Sequence, residues 1–239
     1  MSYKIHPFWK VERLLSPKMS SQFSPHNNVV LLSHHIPKTA GSSLRKAFEM
    51  SFGRRFVYGI YENTGALAMS KGEDTWIPAN AKVLHGHFKP QEMHKCIFPR
   101  ASKAVWVRDP VERLWSLVGH LLALRERHPH YHLLKSALPH VNPNSQVDIV
   151  RALVLENAVS AFTHAYTHFF KTVSIDEFEF VGSKHKYVED LKNLSELIGV
   201  GLKPLEINRR SNAKQKLPVI IRKLEPYLEE EYAIVDDYL

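Results

Sequence analysis

The sequence predicts an α/β domain in which a central, mainly parallel β-sheet is flanked by helices in three layers. Three observations predict it. Short apolar runs of strand length alternate along the chain with segments whose apolar residues recur at helical spacing. Hydrophobic residues make up 44% of the sequence, enough for a sizeable core. The 239 residues suit one such domain, with no internal repeat or linker dividing them.

The elements follow in order. Residues 1–28 are polar and read as an N-terminal extension that caps or wraps the domain of residues 29–239. Residues 29–33 form a buried strand, and residues 42–50 a helix with Leu44, Ala47 and Phe48 on one side. Residues 56–59 are a second strand, 61–80 a polar loop, and 82–85 and 104–107 two more strands. Pro110 opens the clearest helix, where its missing N–H costs nothing, and Val111, Leu114, Trp115, Val118, Leu121 and Leu122 give it its apolar stripe. Residues 125–146, crowded with His and Pro, read as a long excursion. Leu155, Val159, Phe162, Tyr166 and Phe169 mark a second long helix. Residues 178–181 are a strand, 187–198 a helix, and 217–238 a last helix interrupted at Pro226.

The formal charge of +8 implies an anionic partner, a requirement met alike by nucleic acid, a phosphorylated cofactor or an anionic glycan. Cys96 is the only cysteine, which excludes an intrachain disulfide and fits a reducing compartment. Residues 1–18 mix Lys, His, Glu and Arg among their apolar residues and offer no signal-peptide core. No apolar run approaches the roughly 20 residues that span a bilayer, so the sequence reads as a soluble protein without a membrane anchor.

The segment from His34 to Leu44, HHIPKTAGSSL, lies between a strand and a helix. Such a junction aims free backbone N–H groups and the positive end of the helix dipole at one point, where phosphate binds. Lys38 adds a full charge, Gly41 lets the backbone approach, and Ser42 and Ser43 add hydroxyl donors. An ATP-binding loop would place lysine after the second glycine of G-x-x-x-x-G-K-[ST], whereas here Lys38 precedes Gly41 by three residues. A second segment, VWVRDPVERLWS from Val105 to Ser116, sets Arg108 at a strand end and Ser116 two turns into the next helix. Arginine so placed can clamp a phosphate through paired hydrogen bonds. The competing reading is an Arg108 ion pair with Asp109 or Glu112 and a solvated Ser116. Arg113 reads as a structural ion-pairing residue.

Together these segments resemble the PAPS-dependent sulfotransferase family, in particular its carbohydrate branch that includes heparan sulfate 2-O-sulfotransferase. The PKTAGSS run is similar to the loop that holds the 5′-phosphosulfate of PAPS (3′-phosphoadenosine 5′-phosphosulfate). The resemblance therefore implies a P-loop-like fold in which Lys38, Thr39, Ala40, Gly41, Ser42 and Ser43 bind the 5′ side. Arg108 and Ser116 match the family's 3′-phosphate motif. The activity implied is in-line transfer of a sulfonate from PAPS to an acceptor hydroxyl, leaving 3′,5′-adenosine bisphosphate (PAP).

The attacking hydroxyl must lose its proton, and histidine titrates in the range that suits a base. LHGHF, residues 84–88, ends a strand, and its His-Gly-His resembles the segment carrying the histidine base in that branch. The resemblance makes His87 the base and His85 its assistant or a substrate-positioning residue. Lys38 also neutralises charge growing on the leaving group. No metal is required. His164 and His168 stand four apart, but Ala165 replaces the glutamate of H-E-x-x-H. His128, His130 and His132 read as a solvated or glycan-contacting loop. After the strand at 178–181, His185 stands where the family usually has a glutamate. A basic stretch at 208–214 suits a loop that closes over nucleotide or meets the acceptor.

The acceptor implied is an anionic or neutral glycan with a free hydroxyl, not a nucleic acid. The expected location is the bacterial cytoplasm, or else the chain is the excised catalytic domain of a Golgi enzyme. Two rivals remain: a P-loop kinase using ATP and Mg²⁺, disfavoured by the order of Lys38 and Gly41, and a basic non-catalytic nucleic-acid binder, for which no binding motif is present.

Overall fold

The apolar runs become strands of a single sheet in the computed structural model, which describes residues 6–205 and 217–239. The five strands are β1 (Leu31–His34), β2 (Val57–Ile60), β3 (Val83–Gly86), β4 (Ser102–Val107) and β5 (Phe180–Ser183). They lie in the order β2-β3-β1-β4-β5, and every pairing is parallel. All residues of β1, β2 and β3 are buried, as expected for strands covered on both faces.

The helices are α1 (Pro7–Leu15), α2 (Gly41–Phe52), α3 (Ala66–Met69), α4 (His94–Ile97), α5 (Pro110–Leu124), α6 (Pro129–Ala137), α7 (Gln146–Leu155), α8 (Ser160–Thr163), α9 (Ala165–Phe169), α10 (Tyr187–Ile198), α11 (Val219–Arg222) and α12 (Glu229–Val235).

The chain forms two compact units, each with its own core. The first comprises Met1–Val107 and Phe169–Ile207 and contains the sheet. Alternate strand residues serve its two faces. Leu31, Val57 and Val83 pack with Leu44, Ala47 and Phe48 of α2 and with Leu191 and Leu194 of α10. Their neighbours Leu32, Tyr58 and Leu84 pack with Trp9 of α1, Met69 of α3 and Ile97 of α4. The three-layer α/β/α arrangement expected from the sequence is thus present in this unit.

The second unit comprises Arg108–His168 and Asn208–Leu239, and the elements among its described residues are all helices. Leu114, Val118 and Leu121 of α5 meet Val150 and Leu153 of α7, with Ile221 and Leu228 from the C-terminal segment. Burying these side chains contributes on the order of 2 kcal/mol each.

Two expectations need correction. The stretch read as one long helix from Leu155 to Phe169 is three: α7, α8 and α9. Leu155 is 49% exposed and so lies off the apolar stripe. Asn157 then turns the chain with φ 47°, a left-handed conformation that asparagine tolerates better than most residues. The His/Pro-rich stretch at 125–146 is not all loop. Pro129 opens α6 and the His128 side chain accepts the His130 N–H, so His and Pro act there as helix-start residues. The basic stretch at 208–214 lies outside the described residues.

Candidate active site

The chain leaves β1 through Ile36, whose side chain is buried, and turns sharply. Lys38 and Ala40 both adopt left-handed backbone, with φ 77° and 78°. For residues with a Cβ that conformation costs about 1–3 kcal/mol each and persists only where the surroundings enforce it. Thr39, between them, is fully buried and its hydroxyl donates to the Ile36 carbonyl at 2.8 Å. Alternating backbone hands of this kind gather successive N–H groups into an anion-binding concavity. Gly41 begins α2, and Ala40 provides no side-chain cap for its first turn. Ser42 is exposed and Ser43 buried. Lysine, hydroxyls and an uncapped helix start form a donor set that fits a phosphate or phosphosulfate.

Gly41 is required for a reason other than close approach of ligand alone. A Cβ built there would lie 2.0 Å from His35 Nε2, so the His35 ring already occupies that space.

The pairing of β1 with β3 aligns Ser33 with His85 and His34 with Gly86. The residues that follow each strand are therefore neighbours, and His35 meets His87, their ring centroids 4.4 Å apart at 63°. His85 and His87, two residues apart, both contact His35. The His85 ring stacks on it at 5.3 Å and 18°. Gly86 between them has no room for a side chain, since its Cβ would fall 1.7 Å from the Ile60 carbonyl oxygen.

His85 and His87 differ in environment. His85 is fully buried, and its Nδ1 shares a 2.9 Å hydrogen bond with the Ser33 hydroxyl. Desolvation, then the positive charge of Arg45 and the neighbouring His87, lower its pKa to about 3, against a small opposing effect of the Gly41 backbone. His85 Nε2 nonetheless has no partner of hydrogen-bond geometry. We take the ring as neutral, since desolvation dominates. Burial and the neighbouring His87, His85 and Lys38 likewise hold His35 well below its ordinary value. His87 is exposed, its backbone N–H donates to Ile60 at 2.8 Å, and its ring stands 5.2 Å from that of Tyr61. Of the three it is the most exposed, His35 being half-buried and His85 buried. His35 carries no role in the sequence reading, because only the β1–β3 register brings it to the pair.

In the second unit, Arg108 directly follows β4. Its own N–H and C=O are bridged by the hydroxyl of buried Tyr166, at 2.9 and 2.6 Å. Its guanidinium is paired with Glu112 at 3.2 Å, the competing partner foreseen from sequence. Glu112 shares its charge with Arg222 at 3.3 Å, and Arg222 also reaches Asp109 at 2.6 Å. Asp109 caps α5 by accepting the Glu112 N–H at 2.8 Å. Ser116 is half-buried, two turns into α5. Arg113 is structural, as expected, but what holds it is a hydrogen bond to the Phe162 carbonyl and the face of Tyr166, 5.6 Å away.

Among the described residues, no group of three or more His, Cys, Asp or Glu side chains is placed to hold a metal ion. His164 and His168 instead find hydroxyls, of Thr163 and Ser160, each at 2.8 Å. His185 is exposed, with its N–H directed at the Ser183 hydroxyl.

Residues 22–131, just under half of the chain, match the family model described as the sulfotransferase family. No curated protein matches. Among solved structures, a sulfotransferase from Alicyclobacillus acidocaldarius is similar at 12% identity and TM-score 0.46, over 88% of this chain and 94% of that one. Mouse sulfotransferase SULT7A1 complexed with PAP is similar at 11% identity and TM-score 0.41, over 85% of this chain and 64% of that one.

Proposed function

We propose, on the match of residues 22–131 to the sulfotransferase family model and the resemblance of the PKTAGSS and VWVRDPVERLWS segments, that this chain is a PAPS-dependent sulfotransferase and that it sulfates a carbohydrate hydroxyl with His87 as the base. The observation that carries the assignment of the base is the contrast between two histidines two residues apart: His85 is buried and bonded to Ser33, His87 exposed at the strand end.

His87 takes the hydroxyl proton on a ring nitrogen as the acceptor oxygen bonds to sulfur and the bond from sulfur to the bridging oxygen breaks. The electron pair of that bond leaves with the bisphosphate product. Lys38 and the backbone N–H groups at Ala40 and Gly41 oppose the charge that develops there, with the Ser42 and Ser43 hydroxyls as further donors, while Thr39, whose N–H and hydroxyl both go to the Ile36 carbonyl, holds the turn that presents them. His85 does not exchange protons with substrate; held by Ser33, it packs against His35 and so positions His87. Arg108 and Ser116 hold the 3′-phosphate, a role that rests on their motif. No residue of this scheme calls for a metal. The acceptor class follows the resemblance of PKTAGSS and His-Gly-His to the carbohydrate branch, and the +8 charge suits an anionic glycan.

The test is transfer of radiolabelled sulfonate from PAPS to a panel of neutral and anionic glycans. The His87→Ala variant should lose transfer by about 10²–10⁴-fold, the usual contribution of a positioned base, while still binding PAP. Wild-type transfer only to phenols or amines would overturn the carbohydrate assignment. Full activity of His87→Ala would remove it as the base.

A further inference from the structure

The first helix presents its apolar side to solvent. In α1, Trp9 is buried and its ring meets Tyr58 edge-on at 5.0 Å. Glu12 accepts the Ala79 N–H at 2.7 Å, and the Arg13 guanidinium lies 5.8 Å over the Trp76 ring. Trp76 in turn donates to the Ser16 carbonyl at 2.8 Å. These contacts fix the helix by its Trp9–Glu12–Arg13 side. The side left outward carries Phe8, Val11, Leu14 and Leu15, which are 49, 56, 82 and 81% exposed. At 3.6 residues per turn these four span an arc of about 120°. An amphipathic helix in a soluble fold ordinarily turns such an arc inward.

The exposed charges around the arc are cations. Lys10 flanks it on the helix, and Arg54 and Arg55 are exposed on the adjoining turn. Arg55 lies 5.9 Å over the Phe8 ring. Between that turn and α1 runs a groove of about 410 Å³, walled by Phe8, Trp9 and Phe56 and edged by the two arginines. Two acids stand nearby, both half-buried: Glu12 accepts the Ala79 N–H, and Glu49 pairs with Arg45 at 2.8 Å and with Arg54 at 3.8 Å, leaving Lys10 and Arg55 as the cations these acids do not pair.

We propose that this face of α1 with Arg54 and Arg55 is a peripheral docking surface for an anionic lipid bilayer. Phe8, Val11, Leu14 and Leu15 enter the boundary between headgroups and acyl chains, and Lys10, Arg54 and Arg55 meet lipid phosphates. Charge selects the bilayer over a second copy of the chain. A two-fold contact through this patch would set the same cations against themselves, whereas an anionic membrane neutralises them. The helix lies on the membrane; among the described residues none is long and apolar enough to cross one. The proposal is independent of the catalytic reading.

Flotation with vesicles of phosphatidylcholine alone, or mixed with phosphatidylserine, tests it on the whole protein. The wild type should float with the mixed vesicles, less so as salt is raised, and not with the neutral ones. Leu14→Glu combined with Leu15→Glu, at sites too exposed to disturb folding, should weaken binding at least tenfold with an unchanged melting temperature. Arg54→Glu or Arg55→Glu should each weaken it by roughly fivefold or more. Failure of the wild type to float, or flotation of the double leucine variant as well as the wild type, overturns the proposal. So does a dimer in solution that the leucine variant dissociates, combined with no vesicle binding; the face would then join two copies.

Discussion

The imidazole of His35 fills the space that any side chain at Gly41 would need, with an added Cβ falling 2.0 Å from Nε2. The same ring contacts His85 and His87, so one residue links the start of the phosphate loop's helix to the proposed base. Gly41→Ala should therefore lower PAP affinity tenfold or more, in line with the roughly 1–3 kcal/mol that overpacking costs. His35→Ala in the same chain should recover most of that loss. Strictly additive effects by calorimetric titration would contradict the coupling.

Arg108 should matter to ligand and little to stability. Its pair with Glu112 is partly exposed, and such pairs contribute about 0–1 kcal/mol. Arg108→Ala is expected to melt within a few degrees of wild type while losing PAP affinity by about 10²-fold, as removal of a charge-assisted phosphate contact does.

Tyr166→Phe tests the support of Arg108 from behind. The hydroxyl of fully buried Tyr166 serves both backbone groups of half-buried Arg108. Its removal leaves the Arg108 amide and carbonyl without this partner and should destabilise the fold by about 1–3 kcal/mol in denaturant titration. No loss of stability would mean that water replaces the hydroxyl.

Acid should unfold the sheet unit early. His34, His85 and His94 are buried, and desolvation is the first cause of the lowering of their pKa values to about 3, 3 and 4. His94 and Lys103 deepen the shift at His34, and Lys103 that at His94. Their folded values lie below the unfolded 6.5, so the unfolded chain binds more protons between the two. The associated stability is complete above pH 6.5 and is lost as pH falls from there toward 3. The slope approaches on the order of 1 kcal/mol per pH unit for each ring. Urea midpoints should be flat from pH 8 to 7 and drop steeply below 6; a flat profile to pH 4.5 would contradict neutral burial of these rings.

The sheet was legible because parallel strands covered on both faces leave unbroken apolar runs, and α10 was read to its ends because its stripe is regular and Gly199 stops it in left-handed backbone. The PKTAGSS run was legible as a strand-helix junction, and it lies between β1 and α2. The role of His35 was not, since one sequence does not disclose that β1 pairs with β3 in the register Ser33 to His85. Nor was the break after Leu155, where a local turn at Asn157 overrides an apolar spacing that continues past it. The outward arc of α1 escaped because residues 1–28 read as a polar extension with no helix in it, charged residues standing among the apolar ones.

The measurement closest to the central claim is calorimetric titration of the chain with PAP in EDTA, beside ATP with Mg²⁺. Saturable PAP binding that needs no metal, and that Lys38→Ala and Arg108→Ala each weaken at least tenfold, is the predicted result. Binding of ATP only with Mg²⁺, and none of PAP, would contradict sulfonate transfer from PAPS and point to phosphoryl transfer instead.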